Sequence, residues 1–145
     1  MSGRKKLNYA AELGMERCLS LFVSKQAQAT TNLRGCLLFN GSTNTDGYGQ
    51  IYTKPNALVR STGRAAQRAF LLHIVAFVAH HGQHGFETEN HISHICDMRN
   101  CFNPDHLVLE SAQANNARKG CPGNIVCEGC NLVVYLCPHF PGCVR

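Results

Sequence analysis

The stretch His91–Cys121, HISHICDMRNCFNPDHLVLESAQANNARKGC, decides how the rest of the chain is read. Within it Cys96, Cys101 and His106 stand as C-x4-C-x4-H, a donor set of thiolates and imidazole that suits tetrahedral zinc. Asn103-Pro104 falls inside the run and favours a tight turn, so the chain can fold back around an ion. His94 is a further imidazole, two residues ahead of the first ligand and outside the set. The residues before it, Glu89–His94, are expected to be a strand. Ser111 can cap a helix running to Lys119, favoured by Ala112, Ala114 and Ala117. The expected unit is strand, metal-braced loop, helix, which can aim His94 and an asparagine at one point.

Working outward, 145 residues make one domain with a modest core. Lysine and arginine outnumber aspartate and glutamate by 14 to 9, and the net charge of +5 leans towards a polyanionic partner. The cysteine count is nine, an odd number, with several cysteines alternating with histidines in short loops. The basic start, Arg4-Lys5-Lys6, is followed by no apolar signal region. A secreted disulfide framework is therefore set aside in favour of metal ligation in a reducing, intracellular compartment. The most apolar run, Leu71–Ala79, is too short to span a bilayer, so no membrane association is expected.

In chain order, residues 1–33 read as a basic leader and a helix, and 34–145 as the main unit. The leader could touch phosphate or serve nuclear import, against the plain reading of a solvated tail. Asn8 is placed to cap a helix reaching about Gln28, with Leu13, Leu19, Leu21, Phe22 and Val23 as apolar positions and Gly14 weakening it. Cys18 is expected to be a buried structural thiol. Residues 36–53 read as a hairpin or the start of a small antiparallel sheet around GSTNTDG, and Ala57–Arg60 as a further strand. An apolar helix is expected over Ala65–His80, with Phe70, Ile74, Phe77 and Val78 on its core face. No role is assigned to His80, His81, His84 or His91.

These residues resemble the His-Cys box homing endonucleases of the ββα-metal (HNH-like) nuclease superfamily. The match runs without a gap through Ser93-His94-Ile95-Cys96, Cys101, Asn103-Pro104, His106-Leu107, Glu110-Ser111 and Asn115 to Cys121. It continues upstream through Gly35-Cys36 and Tyr48-Gly49, and downstream through Cys137-Pro138-His139 and Cys143. The resemblance implies an α+β, zinc-stabilised fold with an antiparallel hairpin or sheet, a core helix and two zinc-braced loops. It implies a first zinc on Cys96, Cys101 and His106 closed by Cys36, and a second on Cys121, Cys137, His139 and Cys143. Here the chain departs from the pattern, because an extra CxxC, Cys127 and Cys130, lies in the second loop. Those two could displace the outer pair, share another ion or stay free.

Four-coordinate zinc keeps no open position, so both sites would be structural. Catalysis would then rest on a neutral His94 taking a proton from water. The resemblance places a Mg²⁺-type cation on Asn115, with neighbouring Asn116 the alternative, and an arginine on the scissile phosphate, Arg64 before Arg60. It also implies double-stranded DNA as substrate and action as a homodimer. With the chain ending two residues after Cys143, dimerisation through a C-terminal arm is put in doubt, and the Leu132–Leu136 segment is left as a candidate contact. A two-stranded ribbon over 36–60 would face DNA, with Asn44, Gln50, Thr53, Lys54, Asn56 and Arg60 able to read base edges.

The reading that follows is a Mg²⁺-dependent, homing-type DNA endonuclease located in the nucleus. Against it stand plainer ones: a structural zinc knuckle, a core histidine at 94, a solvent-facing Asn115 and arginines on a solvated face. The rival classes are a non-catalytic zinc-stabilised nucleic-acid-binding module, which needs neither His94 nor Asn115, and a zinc-held protein-interaction domain with little salt-dependent DNA affinity.

Overall fold

A computed structural model describes residues 8–56, 67–82, 90–121, 123–126 and 129–144. Asn8 does cap the first helix, α1 (Tyr9–Leu13), its Oδ1 accepting the Ala11 N–H at 3.1 Å. At Gly14 the backbone turns left-handed (φ 82°), and α2 (Met15–Gln26) restarts beyond it. The single helix expected here is therefore two, because glycine adopts that conformation without a steric penalty. Tyr9, Leu13, Cys18 and Phe22 are buried, whereas Leu19 and Val23 lie exposed with Met15.

The strands pair differently from a simple 36–53 hairpin. Strand β1 (Thr30–Thr31) pairs with β2 (Leu37–Leu38), and β3 (Gln50–Thr53) pairs with β4 (Arg68–Leu71), both antiparallel. The turn between β2 and β3 closes as a short hairpin tip, with Asn44 Oδ1 accepting the Asp46 and Tyr48 N–H groups and Thr43 bridged to Gly49, but β2 and β3 themselves find other partners. Beyond β2 the ladder passes to the ligand loop: Phe102 donates to the Leu37 carbonyl at 2.9 Å and Phe39 to the Asn100 carbonyl at 3.0 Å.

Residues 68–71, expected as the start of a helix, are strand β4. Their main chain is claimed by tertiary bonds, Leu71 N–H to the Tyr9 hydroxyl and Leu72 N–H to the Gly49 carbonyl, which outweigh local helix propensity. Helix α3 (Leu72–His81) begins directly after it and is buried on all sides from Leu72 to Val78. An apolar helix with no polar face has to be a central rod. Around it pack α1, α2, Ile51, Phe70, Ile92, Phe102 and Leu107. The expected strand at 57–60 and the helix start at 65–66 lie outside the described residues.

Strand β5 (Asn90–His94) pairs antiparallel with β6 (Leu107–Ser111), which runs into α4 (Ala112–Ala117), and Ser111 Oγ caps α4 by accepting the Ala114 N–H at 3.1 Å. Strand β6 was not anticipated, so the unit is strand, ligand loop, strand, helix. Last, β7 (Asn124–Val126) pairs with β8 (Val133–Tyr135). The architecture is α+β, as expected, with two-stranded antiparallel sheets around a core helix. Among the described residues no helix is long and apolar enough to cross a membrane.

Candidate zinc centres and the His94 cavity

The first ligand group gathers Cys36, Cys96, Cys101 and His106, all buried, with every donor atom within 4.8 Å of the others. Bond lengths of about 2.3 Å to sulfur and 2.0 Å to nitrogen give a tetrahedral S···N edge of about 3.5 Å. His106 Nδ1 lies 3.5 Å from Cys36 Sγ and 3.7 Å from Cys101 Sγ, so the set fits one zinc ion. Cys36 is distant in sequence, and one local and one long-range hydrogen bond deliver it. Asn32 Oδ1 accepts its N–H at 3.0 Å, and Asn103 Nδ2 donates to the Gly35 carbonyl at 2.7 Å.

The thiol chemistry points the same way. A hydrogen bond from the Cys96 thiol, helped by main-chain donors, pushes Cys101 down to about 5. That same bond and then burial raise Cys96, while burial and the neighbouring Cys101 raise Cys36. Without a cation only one thiolate is easy to form; a divalent ion holds all three.

The second group is Cys121, Cys137, His139 and Cys143, again within 4.8 Å. His139 Nδ1 lies 3.3 Å from Cys137 Sγ and 3.6 Å from Cys143 Sγ, the same tetrahedral edge. Its other ring nitrogen donates to the Ala117 carbonyl at 2.9 Å, which leaves Nδ1 as the ligand atom. Of the extra pair, Cys130 is exposed and outside the group, and Cys127 lies outside the described residues.

Arg118 ties this loop to the ββα unit. It forms a two-pronged ion pair with Glu110 (2.8 and 3.0 Å) and donates to the Pro141 carbonyl and Cys143 Sγ. Burial alone would raise the Glu110 carboxyl, but the hydrogen bonds and charge of Arg118 hold it below its ordinary range.

Between the two groups lies a cavity of about 240 Å³ whose lining includes Tyr48, Ser93, His94, Arg99, Asn115 and Lys119. His94 Nε2 lies 2.9 Å from the Cys101 carbonyl oxygen. A carbonyl only accepts, so it keeps the proton on Nε2 and leaves Nδ1 basic. The ring stacks on Tyr48, with centroids 5.7 Å apart, and meets His73 at a tilt, 4.7 Å away. Burial pushes His94 down to about 4 despite the upward pull of the Cys101 carbonyl and Asp97. Across the cavity Asn115 Oδ1 accepts the Ser93 hydroxyl at 2.8 Å, and its Nδ2 stands 3.4 Å from His91 Nδ1. Alternation along β5 explains this: Ser93 and His91 face α4, while His94 faces α3.

A family described as the zinc-binding loop region of homing endonuclease matches residues 35–145. The chain belongs to that family. No curated protein and no solved structure matches it. The homing-endonuclease zinc-binding loop carries a nuclease-type function and implies DNA as substrate.

Within this homing-endonuclease fold, the remaining site residues divide. Arg64 and Arg60 lie outside the described residues. Gln50 donates to the Tyr52 hydroxyl at 2.9 Å on the outer face of β3, and Lys54 is exposed. Thr53 accepts from Arg17, and Asn56 donates to the Ala11 carbonyl at 3.2 Å, so both side chains brace the N-terminal helices. Asn44 is occupied in its turn.

The sequence assigns no role to His91, His73 or Arg99, and marks Ser93 and Tyr48 only through the family resemblance. Period-two alternation ahead of His94 could have found Ser93 and His91. Nothing local marks His73 or Tyr48, which arrive from other elements.

Proposed function

We propose that the protein is a Mg²⁺-dependent endonuclease that hydrolyses phosphodiester bonds in double-stranded DNA. His94 is the general base that activates water, and Asn115 holds the cation. The observation that carries this reading is the joint lining of one cavity by His94 and Asn115, each already held by a second partner. His94 is uncharged at neutral pH, so its Nδ1 can accept a proton from water. A core histidine would need no such cavity, and a binding module would need neither residue.

Asn115 suits a hard cation, because an amide oxygen is a neutral oxygen donor and Ser93 occupies only one of its lone pairs. The ion, when bound, supplies charge neutralisation at the phosphate and at the leaving 3′ oxygen. One amide oxygen is a small part of an octahedral shell, so cation and DNA are expected to bind together. Site-specific, homing-type cleavage by a homodimer in the nucleus belongs to this reading on the strength of the family. Leu132 and Leu136, both exposed, are the proposed contact between copies. Gln50 and Lys54 are the proposed groove-facing side chains, with Arg64 and then Arg60 as candidates for the phosphate.

The test is nicking of supercoiled plasmid by zinc-loaded protein with Mg²⁺, comparing the parent with His94→Ala at matched zinc content and folding. Mg²⁺-dependent nicking that disappears in the variant is expected. Salt-sensitive DNA binding without any cleavage would overturn the reading in favour of a zinc-stabilised binding module.

A further inference from the structure

Three cationic side chains, Arg99, Arg118 and Lys119, and one carboxylate, Asp97, line the His94 cavity. Arg118 is engaged by Glu110 and buried against the second ligand loop, so its charge is already balanced. Arg99 is differently placed. It sits in the first ligand loop, between Cys96 and Cys101, and its side chain is exposed. Its Nη1 donates to the Asp46 carbonyl at 2.6 Å, and its guanidinium lies 5.7 Å from the centroid of the Tyr48 ring. Tyr48 in turn stacks on His94. A carbonyl and an aromatic face orient a guanidinium without neutralising it, and among the described residues one of its five donors is used, which leaves four for an anion.

From this geometry we infer that Arg99 binds a DNA phosphate at the mouth of the His94–Asn115 cavity, so that the first zinc loop carries a substrate contact as well as a brace. The class of ligand is a phosphodiester anion, which matches the fork of the guanidinium. The loop then does two things at once. Through the Cys101 carbonyl it orients the His94 ring, and through Arg99 it fixes the phosphate relative to that ring. Lys119, exposed on the same lining, adds positive charge but has no comparable anchor. The inference rests on the nuclease reading for its consequence on rate, but not for the phosphate contact itself.

The test compares the full zinc-loaded chain with Arg99→Ala, Arg99→Lys and a charge-matched control, Arg34→Ala, which removes an exposed arginine outside the cavity lining. Binding to a random-sequence duplex is measured across salt concentrations without added Mg²⁺, and plasmid nicking is measured with it. Removing one phosphate contact is expected to lower the salt slope by about 0.9, and Arg34→Ala should leave it near the parent value. Arg99→Lys should restore the slope, since charge alone sets it, and only part of the nicking rate, since a point charge lacks the fork. Loss of an electrostatic contact to the reacting phosphate is expected to slow nicking by roughly 10²-fold. Arg99→Ala behaving as Arg34→Ala in both measurements overturns the inference while leaving the nuclease intact. If the parent itself does not nick, a reduced slope in Arg99→Ala alone still supports the phosphate contact, and only the endonuclease reading falls.

Discussion

The Cys101 main-chain oxygen accepts the His94 Nε2 proton at 2.9 Å while the Cys101 sulfur stands in the first ligand group. One residue thus joins the first ligand group to the proposed base. Whatever loosens that loop also releases the His94 ring, so the proposed chemistry would depend on the same residues that hold the loop.

Metal removal should therefore unfold the chain, not merely inactivate it. Apparent binding energies of structural zinc, about 10–16 kcal/mol, are as large as the whole stability of a small domain. Stepwise chelation followed by circular dichroism is expected to show loss of structure that returns on adding zinc. Elemental analysis should find two zinc ions per chain, and Cys130→Ser should keep both because Cys130 stands outside the second group. A folded, zinc-free chain would refute the structural role.

The pH dependence follows from the His94 ring. Its acceptor form predominates above its depressed pKa of about 4 and is lost only below it. For the free enzyme, kcat/KM is expected to be level from about pH 6 to 8, with no acid limb at the ordinary histidine value. An inflection near 6.5 that vanishes in His94→Ala would mean that the ring is charged and solvated in the working enzyme, contrary to its enclosure here.

Ser93 is only 2% exposed, and its hydroxyl donates to the oxygen of Asn115. Ser93→Ala should leave the fold in place, at a stability cost of about 1 kcal/mol. It should raise the Mg²⁺ concentration needed for half-maximal nicking by roughly 10-fold or more, as loss of a partner that orients a metal ligand usually does. An unchanged Mg²⁺ requirement would argue that Asn115 does not hold the cation.

Arg118→Ala leaves the largely enclosed Glu110 carboxylate, 11% exposed, without its partner. The expected cost is about 3–5 kcal/mol by thermal or denaturant unfolding, with weakened retention of the second zinc. The second effect arises because Arg118 also donates to Pro141 and Cys143. Arg118→Lys should recover less than half of the loss, since a single ammonium cannot span both carboxylate oxygens. A variant of parental stability would show the ion pair to be dispensable.

His73 is buried, stacked on Tyr48 and tilted against His94, and its Nδ1 has no hydrogen-bond partner among the described residues. Burial holds it neutral. His73→Ala removes the ring that backs His94, so it is expected to cost about 2–4 kcal/mol and to slow nicking beyond what the stability loss explains at low temperature. Slowed nicking at full saturation with DNA, with KM unchanged, would mark a positioning role; unchanged nicking would limit His73 to packing.

By itself the sequence determined the chemistry-bearing parts that are close together along the chain. The C-x4-C-x4-H spacing, the turn at Asn103-Pro104 and the Ser111 cap are local constraints, set by ligand preference, backbone sterics and side-chain-to-backbone bonding within a few residues. The same holds for the family membership, which rests on those residues in register. Tertiary structure decided what had to come from afar. Hydrogen bonds from β2 to the Asn100–Phe102 segment, with those of Asn32 and Asn103 at Gly35-Cys36, carry Cys36 to the first ligand group and draw β2 away from β3. The ladder to β3 made a strand of Arg68–Leu71 against its helical composition, because the Tyr9 hydroxyl and the β3 backbone satisfy groups that a helix would otherwise pair. The ring stack of Tyr48, His73 and His94 and the anchoring of Arg99 join elements far apart in sequence. Such contacts arise from packing around the buried helix α3, and no local spacing encodes them.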